Sequence, residues 1–192
     1  MSPRRPGRPR DRAVDDAILD ATLRLLREHG YHGLSTDRIA AEAGVGKATI
    51  YRRWGSKDEV VVAAADALAQ AVPTPDTGSL RTDLVLLADG LAAVFAAPGT
   101  AALVGALAER MPHDPQLAVA LRRGFLAARR DAARVVLERG RARGEVTAGV
   151  DLEVATDLLA APFYYRLLIT ADDIDEAFAR QVVDAVLAWV TR

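Results

Sequence analysis

The chain contains no cysteine, which excludes disulfides, thiolate metal sites and cysteine nucleophiles together and suits a reducing cytoplasm. Histidine is almost as scarce: His29, His32 and His113 are the only three, and nothing like a metal-ligand set surrounds them. Long apolar runs are missing. Val60–Ala65 is bounded by Glu59 and Asp66, against the roughly 18 residues that cross a bilayer. The arginines at the start are not followed by the apolar stretch of a signal peptide. Neither secretion nor membrane insertion is expected, and the expected location is the cytoplasm. The phosphate-loop pattern is absent too. Gly44-Val-Gly-Lys-Ala-Thr imitates it, but Ala41 stands where the first glycine belongs and Ala48 where Ser or Thr must follow Lys47. With no cofactor motif and no metal or nucleophile–base constellation, the chain is not expected to be an enzyme.

What is present is a chain of 192 residues, 51% hydrophobic and 27% charged, long enough to bury a real core. Its net charge of −1 hides an asymmetry: the first 57 residues carry twelve Lys/Arg against seven Asp/Glu, and the remainder thirteen against nineteen. A basic head on an acidic body points to a polyanion such as nucleic acid, although a solvated basic tail would give the same balance.

Periodicity is helical nearly everywhere, so an all-α fold of about nine helices is expected. Val14, Ala17, Ile18, Ala21 and Leu25 mark one face of a first helix ending at Gly30. Ser35 caps a short helix to about Ala43, and a second runs from about Lys47 to Trp54. Ser56 caps a longer helix, and Pro73–Ser79 is the clearest boundary. Beyond it, a helix ending at Pro98-Gly99 is followed by a shorter one to Arg110. Asp114-Pro115 opens a long helix expected to turn Leu117, Leu121, Phe125, Ala128, Ala132 and Val135 inward. Asp151 and Asp175 cap two final helices, the first interrupted by Pro162.

The two short helices joined by Gly44-Val45-Gly46 have the proportions of a helix-turn-helix. At 100° per residue, Ile50 and Trp54 share the inner face of the second helix, while Ala48 and Arg52 point outward between Thr49 and Tyr51. Arg52 can donate two bonds to a guanine edge, Ala48 can touch a thymine methyl, and Thr49 can bond base or phosphate. Lys47, Tyr51 and Lys57 are placed to hold phosphates, as are the helix starts at Ser35–Thr36 and Gly46. A solvated helical hairpin would present a similar polar face. In the basic start, Arg8 stands in Pro6-Gly-Arg-Pro-Arg10 and resembles the arginine core of a minor-groove hook.

The run Leu34-Ser-Thr-Asp-Arg-Ile-Ala-Ala-Glu-Ala-Gly-Val-Gly-Lys-Ala-Thr-Ile-Tyr-Arg-Arg-Trp-Gly-Ser-Lys-Asp-Glu resembles the DNA-binding domain of TetR/AcrR-type bacterial transcriptional repressors. The match covers roughly residues 13–60, including the Tyr31-x-Gly33 turn. Ala161-Pro-Phe-Tyr-Tyr-Arg-Leu-Leu resembles the C-terminal domain of one subgroup. One departure is Gly46, where the family usually has serine; the helix cap survives, but a hydroxyl for phosphate is lost. The resemblance implies an all-α homodimer with a three-helix reader and a larger domain that dimerises through its last two helices and encloses a small-molecule inducer site. The expected divisions are a basic arm at 1–12, the helix-turn-helix domain at 13–56 and a helical regulatory and dimerisation domain at 57–192.

The expected partners are therefore double-stranded DNA carrying a near-palindromic operator, a second copy of the chain and an unidentified inducer. A helical dimer acting mainly through a protein partner is the alternative. Candidate lining of the inducer site is Leu91, Phe95, Leu107, Met111, Phe125, Phe163 and Tyr164. The apolar stripe of the final helix offers Phe178, Val182, Val186 and Trp189 to a partner copy, with Leu158 and Tyr165 from the helix before it.

Overall fold

The computed structural model describes residues 10–70 and 73–191. Among them every regular element is helical. The order is α1 (Arg10–His29), α2 (Thr36–Glu42), α3 (Lys47–Arg53), α4 (Lys57–Gln70), α5 (Leu80–Ala96), α6 (Thr100–Arg110), α7 (Pro115–Leu121), α8 (Ala127–Ala142), α9 (Leu152–Tyr165) and α10 (Glu176–Val190). A π-helical turn, Arg122–Leu126, joins α7 to α8 without a break, so the path counts nine helices.

Most helices begin where a short polar side chain can take up an orphan amide. Ser35, Ser79, Asp114, Asp151 and Asp175 all cap this way, and each such cap is worth about 1 kcal/mol. Helices α1 to α3 form a head around Ile18, Leu26, Ile39 and Ile50, all fully buried. Helix α4 packs its Val60, Val61, Ala64 and Ala65 against this head and also contacts α7 and the π-turn. It thus belongs to both halves. In the body, α5 lies against α8, α9 and α10.

Head and body meet closely where α6 begins. Gly99 has φ +93, and a Cβ there would sit 3.0 Å from the Leu23 carbonyl oxygen and 3.1 Å from Arg27 Cβ on α1. Only glycine suits both the dihedral and the approach. The boundary at 73–79 is pinned to the body. Fully buried Asp83 accepts bonds from the Thr77 amide and hydroxyl (2.8 and 2.7 Å), and Arg139 donates to the Pro75 carbonyl at 3.0 Å.

Two local expectations need correction. The inward face of the long helix shifts at the π-turn: Ala128 is exposed and Val135 only half-buried, while Ala133, Val136, Leu137 and Gly140 are buried. A π-turn takes up an extra residue, so every later side chain is displaced by about one position around the axis. The Phe125 side chain lies outside the described residues. The second correction is that α9 continues from Leu152 to Tyr165 with Pro162 inside it, where an interruption is expected. Proline's own φ is helical, and only its missing N–H and ring crowding oppose the helix. Burial of Leu159 and Phe163 on either side holds the turn in place.

No single helix among the described residues is long and apolar enough to cross a membrane. Helices α5 and α6 meet the test only together, across an 88° bend, and much of their apolar surface is buried in the core.

Candidate functional site

The turn between α2 and α3 is built by local hydrogen bonds. Gly44, at φ +66, lets the chain reverse while the Val45 amide donates to the Ala40 carbonyl at 2.9 Å. Gly46 caps α3 in extended conformation without a side-chain bond. Ile50 then anchors α3 in the core, with Trp54 packed against it. This leaves Lys47, Ala48, Tyr51 and Arg52 exposed on one surface, with Thr49 half-buried beside them. Tyr51 is 49% exposed, so its ring and hydroxyl are open to a partner on this surface.

The basic side chains around α3 divide sharply. Arg53 pairs with Asp15 of α1 and braces the head. Lys47 pairs with Asp37 at 2.9 Å in an exposed position, a bond that raises its pKa further above the ordinary lysine value. Arg52 has neither an ion pair nor a hydrogen bond to any described residue. It is the cation of α3 with a guanidinium uncommitted to the fold.

Three expected contacts sit differently. Thr36 is buried, so α2 offers its backbone there and not its side chain. The Ser35 oxygen accepts the Arg38 amide at 3.2 Å, which leaves its O–H able to donate outward. Lys57 is turned inward: its ammonium lies 4.0 Å from the Tyr31 ring centroid and donates to the Leu34 carbonyl at 3.2 Å. Burial, with Arg110 second, lowers its pKa from the usual lysine value. Arg8 lies outside the described residues.

Lys57 belongs to a cluster that joins head to body. The Tyr31 hydroxyl donates to Asp58, and Arg110, at the end of α6, donates to the other Asp58 oxygen at 2.6 Å. The Arg110 guanidinium also lies 4.8 Å from the Tyr31 ring centroid. Asp58 thus ties the first turn of α4 both to the loop before α2 and to the body.

Within the body a cavity of about 480 Å³ opens between α5, α8 and α9. Its walls include Leu87, Leu91, Leu126 and Leu159, and its polar groups are Arg129, Arg130, Thr156, Asp157 and Tyr164. Of the seven candidate lining residues, Leu91 and Tyr164 face this space. Phe95 and Phe163 instead stack in an aromatic cluster with Tyr164 and Phe178, at ring distances of 5.0 to 6.4 Å. Leu107 is buried in the core and Met111 packs at its margin. Arg129 escaped the sequence reading because helical spacing without a π-turn places it outward. Burial lifts the Tyr164 phenol to about 12, with the Arg129 charge opposing.

The candidate dimer surface also divides. Val182 and Val186 are 7% and 3% exposed, committed largely to the core that α10 shares with α5. An unpaired helix would show its whole stripe; packing on α5 removes half of it. Leu158, Tyr165 and Trp189 remain exposed and Phe178 half-buried. Val154 and Ile169 extend the exposed row. Between α9 and α10 lies a shallow groove of about 380 Å³ lined by Leu158, Pro162, Gln181, Val182, Ala185 and Val186. Among the described residues no group of three or more His, Asp or Glu is placed to hold a metal ion.

Residues 18–64 match the family model for bacterial regulatory proteins of the tetR family, and residues 74–186 match a tetracyclin repressor-like C-terminal domain. The chain is 38% identical over 178 residues to an uncharacterized HTH-type transcriptional regulator, YdeS, of Bacillus subtilis, covering 92% of this chain and 89% of that protein. It is 36% identical over 179 residues to a DNA-binding transcriptional repressor TetR of Mycobacteroides abscessus, covering 92% and 93%. Among solved structures, the TetR family regulator SCO0332 superposes with a TM-score of 0.74 at 30% identity, over 93% of this chain and 99% of the other. A Bacillus subtilis FadR in complex with stearoyl-CoA shares the fold, with a TM-score of 0.72 at 17% identity over 91% and 98%.

Proposed function

The chain belongs to the TetR family of DNA-binding transcriptional regulators, and from that premise we propose that it is a homodimeric repressor released from a near-palindromic operator by a small molecule. The observation that carries this reading is the α3 surface, where Ala48, Tyr51 and the unpaired Arg52 stand exposed on a helix anchored from behind by Ile50. Such a helix suits the major groove, with Arg52 on a guanine edge, Thr49 on base or phosphate, and Lys47 and Tyr51 on the backbone. Residues 13–56 are the reader and 57–192 the regulatory and dimerisation part. The arm, expected at 1–12, is shortened by α1, which begins at Arg10; the arginines before it, Arg8 among them, are offered to a neighbouring minor groove.

One seven-residue helix reads too few base pairs for a specific site, so two copies must act together. The exposed row of Val154, Leu158, Tyr165 and Ile169 on and just after α9, with Trp189 on α10, is the surface for that pairing. Repression, not activation, fits the name of the Mycobacteroides abscessus relative. A small-molecule site in the body fits both the cavity and the stearoyl-CoA bound by the Bacillus subtilis FadR. The Arg110–Asp58–Tyr31 cluster is the joint through which a rearranged body moves the head.

Sedimentation of a complex with duplexes selected from a random pool tests this reading. Two chains per duplex are expected for the unaltered protein. Leu158→Glu with Tyr165→Glu, both on exposed positions, should give a folded monomer that no longer retards the same duplex. A double variant that remains dimeric and bound places the pairing surface elsewhere.

A further inference from the structure

The cavity between α5, α8 and α9 has mainly apolar walls, and Arg129 is one of the five polar residues that line it. The π-turn puts it there, by rotating the residues that follow so that position 129 faces inward. Arg129 Nη2 donates to the Leu68 carbonyl in the last turn of α4 at 2.9 Å. Its Nε is buried and has no hydrogen-bond partner. No carboxylate pairs with it among the described residues. Asp157, which lines the cavity, and Glu153 are both bonded to Arg130. Burial correspondingly lowers the Arg129 pKa from the ordinary guanidinium value.

A half-buried guanidinium whose Nε is unpaired and whose one bond is to a neutral carbonyl is costly, and an opposite charge relieves that cost. We propose that the cavity takes an organic anion: a carboxylate or similar acidic group on an apolar body. The head would accept a forked pair of bonds from Arg129, and the body would lie along Leu87, Leu91 and Leu159. The Tyr164 hydroxyl, neutral near pH 7, adds a second donor. A cation would be repelled by Arg129, and a neutral molecule, even one whose oxygen accepted a bond, would leave the guanidinium charge uncompensated. The volume, about 480 Å³, suits a small molecule.

The inference rests on reading the cavity as the inducer site and supplies the ligand's chemical class. It also supplies a route for the signal. The same guanidinium holds the C-terminal turn of α4 through Leu68, and the first turn of α4 carries Lys57 and Asp58 against the head. An anion drawing Arg129 into the cavity weakens its hold on α4.

Calorimetry on the full chain with decanoate, 1-decanol, 1-naphthoate and 1-naphthalenemethanol tests the proposal. At least one acid should bind once per chain, roughly ten- to a hundredfold more tightly than its alcohol, the range for a charge-assisted hydrogen bond. Arg129→Met should reduce that preference to within about threefold, and Arg129→Lys should keep part of it. Should Arg129→Met fail to fold by circular dichroism, the acid–alcohol contrast in the unaltered chain and the lysine variant decide. Alcohols that bind as tightly as the acids overturn the assignment of charge while leaving the inducer site standing. Failure of all four to bind overturns the proposal. Acids that bind as described, yet leave operator retardation unchanged, keep the ligand class and remove the inducer reading.

Discussion

Replacing Asp58 by asparagine and Arg110 by glutamine, singly and together, tests the joint between head and body. The pair spans 2.6 Å with side chains 27% and 34% exposed. Fully exposed pairs couple by about 0.2–1 kcal/mol, whereas breaking a buried pair costs about 3–5 kcal/mol. A partly covered pair with a second donor from Tyr31 falls between, at about 1–2 kcal/mol of coupling. Asp58→Asn should be the worse single change, because Arg110 and Lys57 both lie against the Tyr31 ring and, among the described residues, only Asp114, 3.6 Å from Arg110, remains to offset them. Each single variant should lose about 2–8 °C in Tm for a chain of this size. Urea unfolding of the four proteins gives the coupling directly. Additivity within about 0.5 kcal/mol would show that the two charges do not work as a unit, and the joint would then reside in packing alone.

Arg52→Ala should weaken operator binding by about 1–3 kcal/mol and relax preference at one position per half-site, read by competition among single-base variants. Gly99→Ala should lower stability by about 1–3 kcal/mol in urea, since φ +93 and the Leu23 carbonyl both oppose a Cβ. Val182→Glu with Val186→Glu should unfold the chain, seen as lost circular dichroism, because both side chains are buried by its own core. Glu145 is held below the usual carboxylate range by Arg143 and by the Leu80 amide. Its contribution is complete above its unfolded pKa and vanishes as pH falls through the lower folded value. Glu145→Gln should therefore flatten the acid limb of stability measured below about pH 4.5, and an unchanged limb would count against the Glu145 contact.

Local features were the legible ones. The helix-turn-helix was readable because Ser35, Gly44, Ile50 and Trp54 act within a few residues of where they stand, and their spacing alone fixes which side of α3 faces out. The cavity was not, because it depends on the register of α8 across the π-turn. Nothing in Arg122–Leu126 announces the extra residue, so the spacing alone places Ala128 and Val135 inward and Arg129 outward. The aromatic residues that seemed natural lining, Phe95 and Phe163, satisfy one another instead. The final stripe divides for a related reason. Periodicity shows that Val182 and Val186 want burial, but which neighbour buries them is a tertiary matter, and α5 does so. Lys57 likewise reads as a surface cation until Tyr31 is found beneath it.

The most direct measurement is binding-site selection from random duplex DNA with the unaltered protein and with Arg52→Ala in parallel. The unaltered protein should enrich a near-palindrome whose half-site centres lie one helical turn apart, or a whole multiple of it, about 34–36 Å per turn. The variant should enrich the same frame with one base position blurred in each half. Enrichment of no motif, or of an identical motif by both proteins, would contradict a dimer that reads DNA through α3.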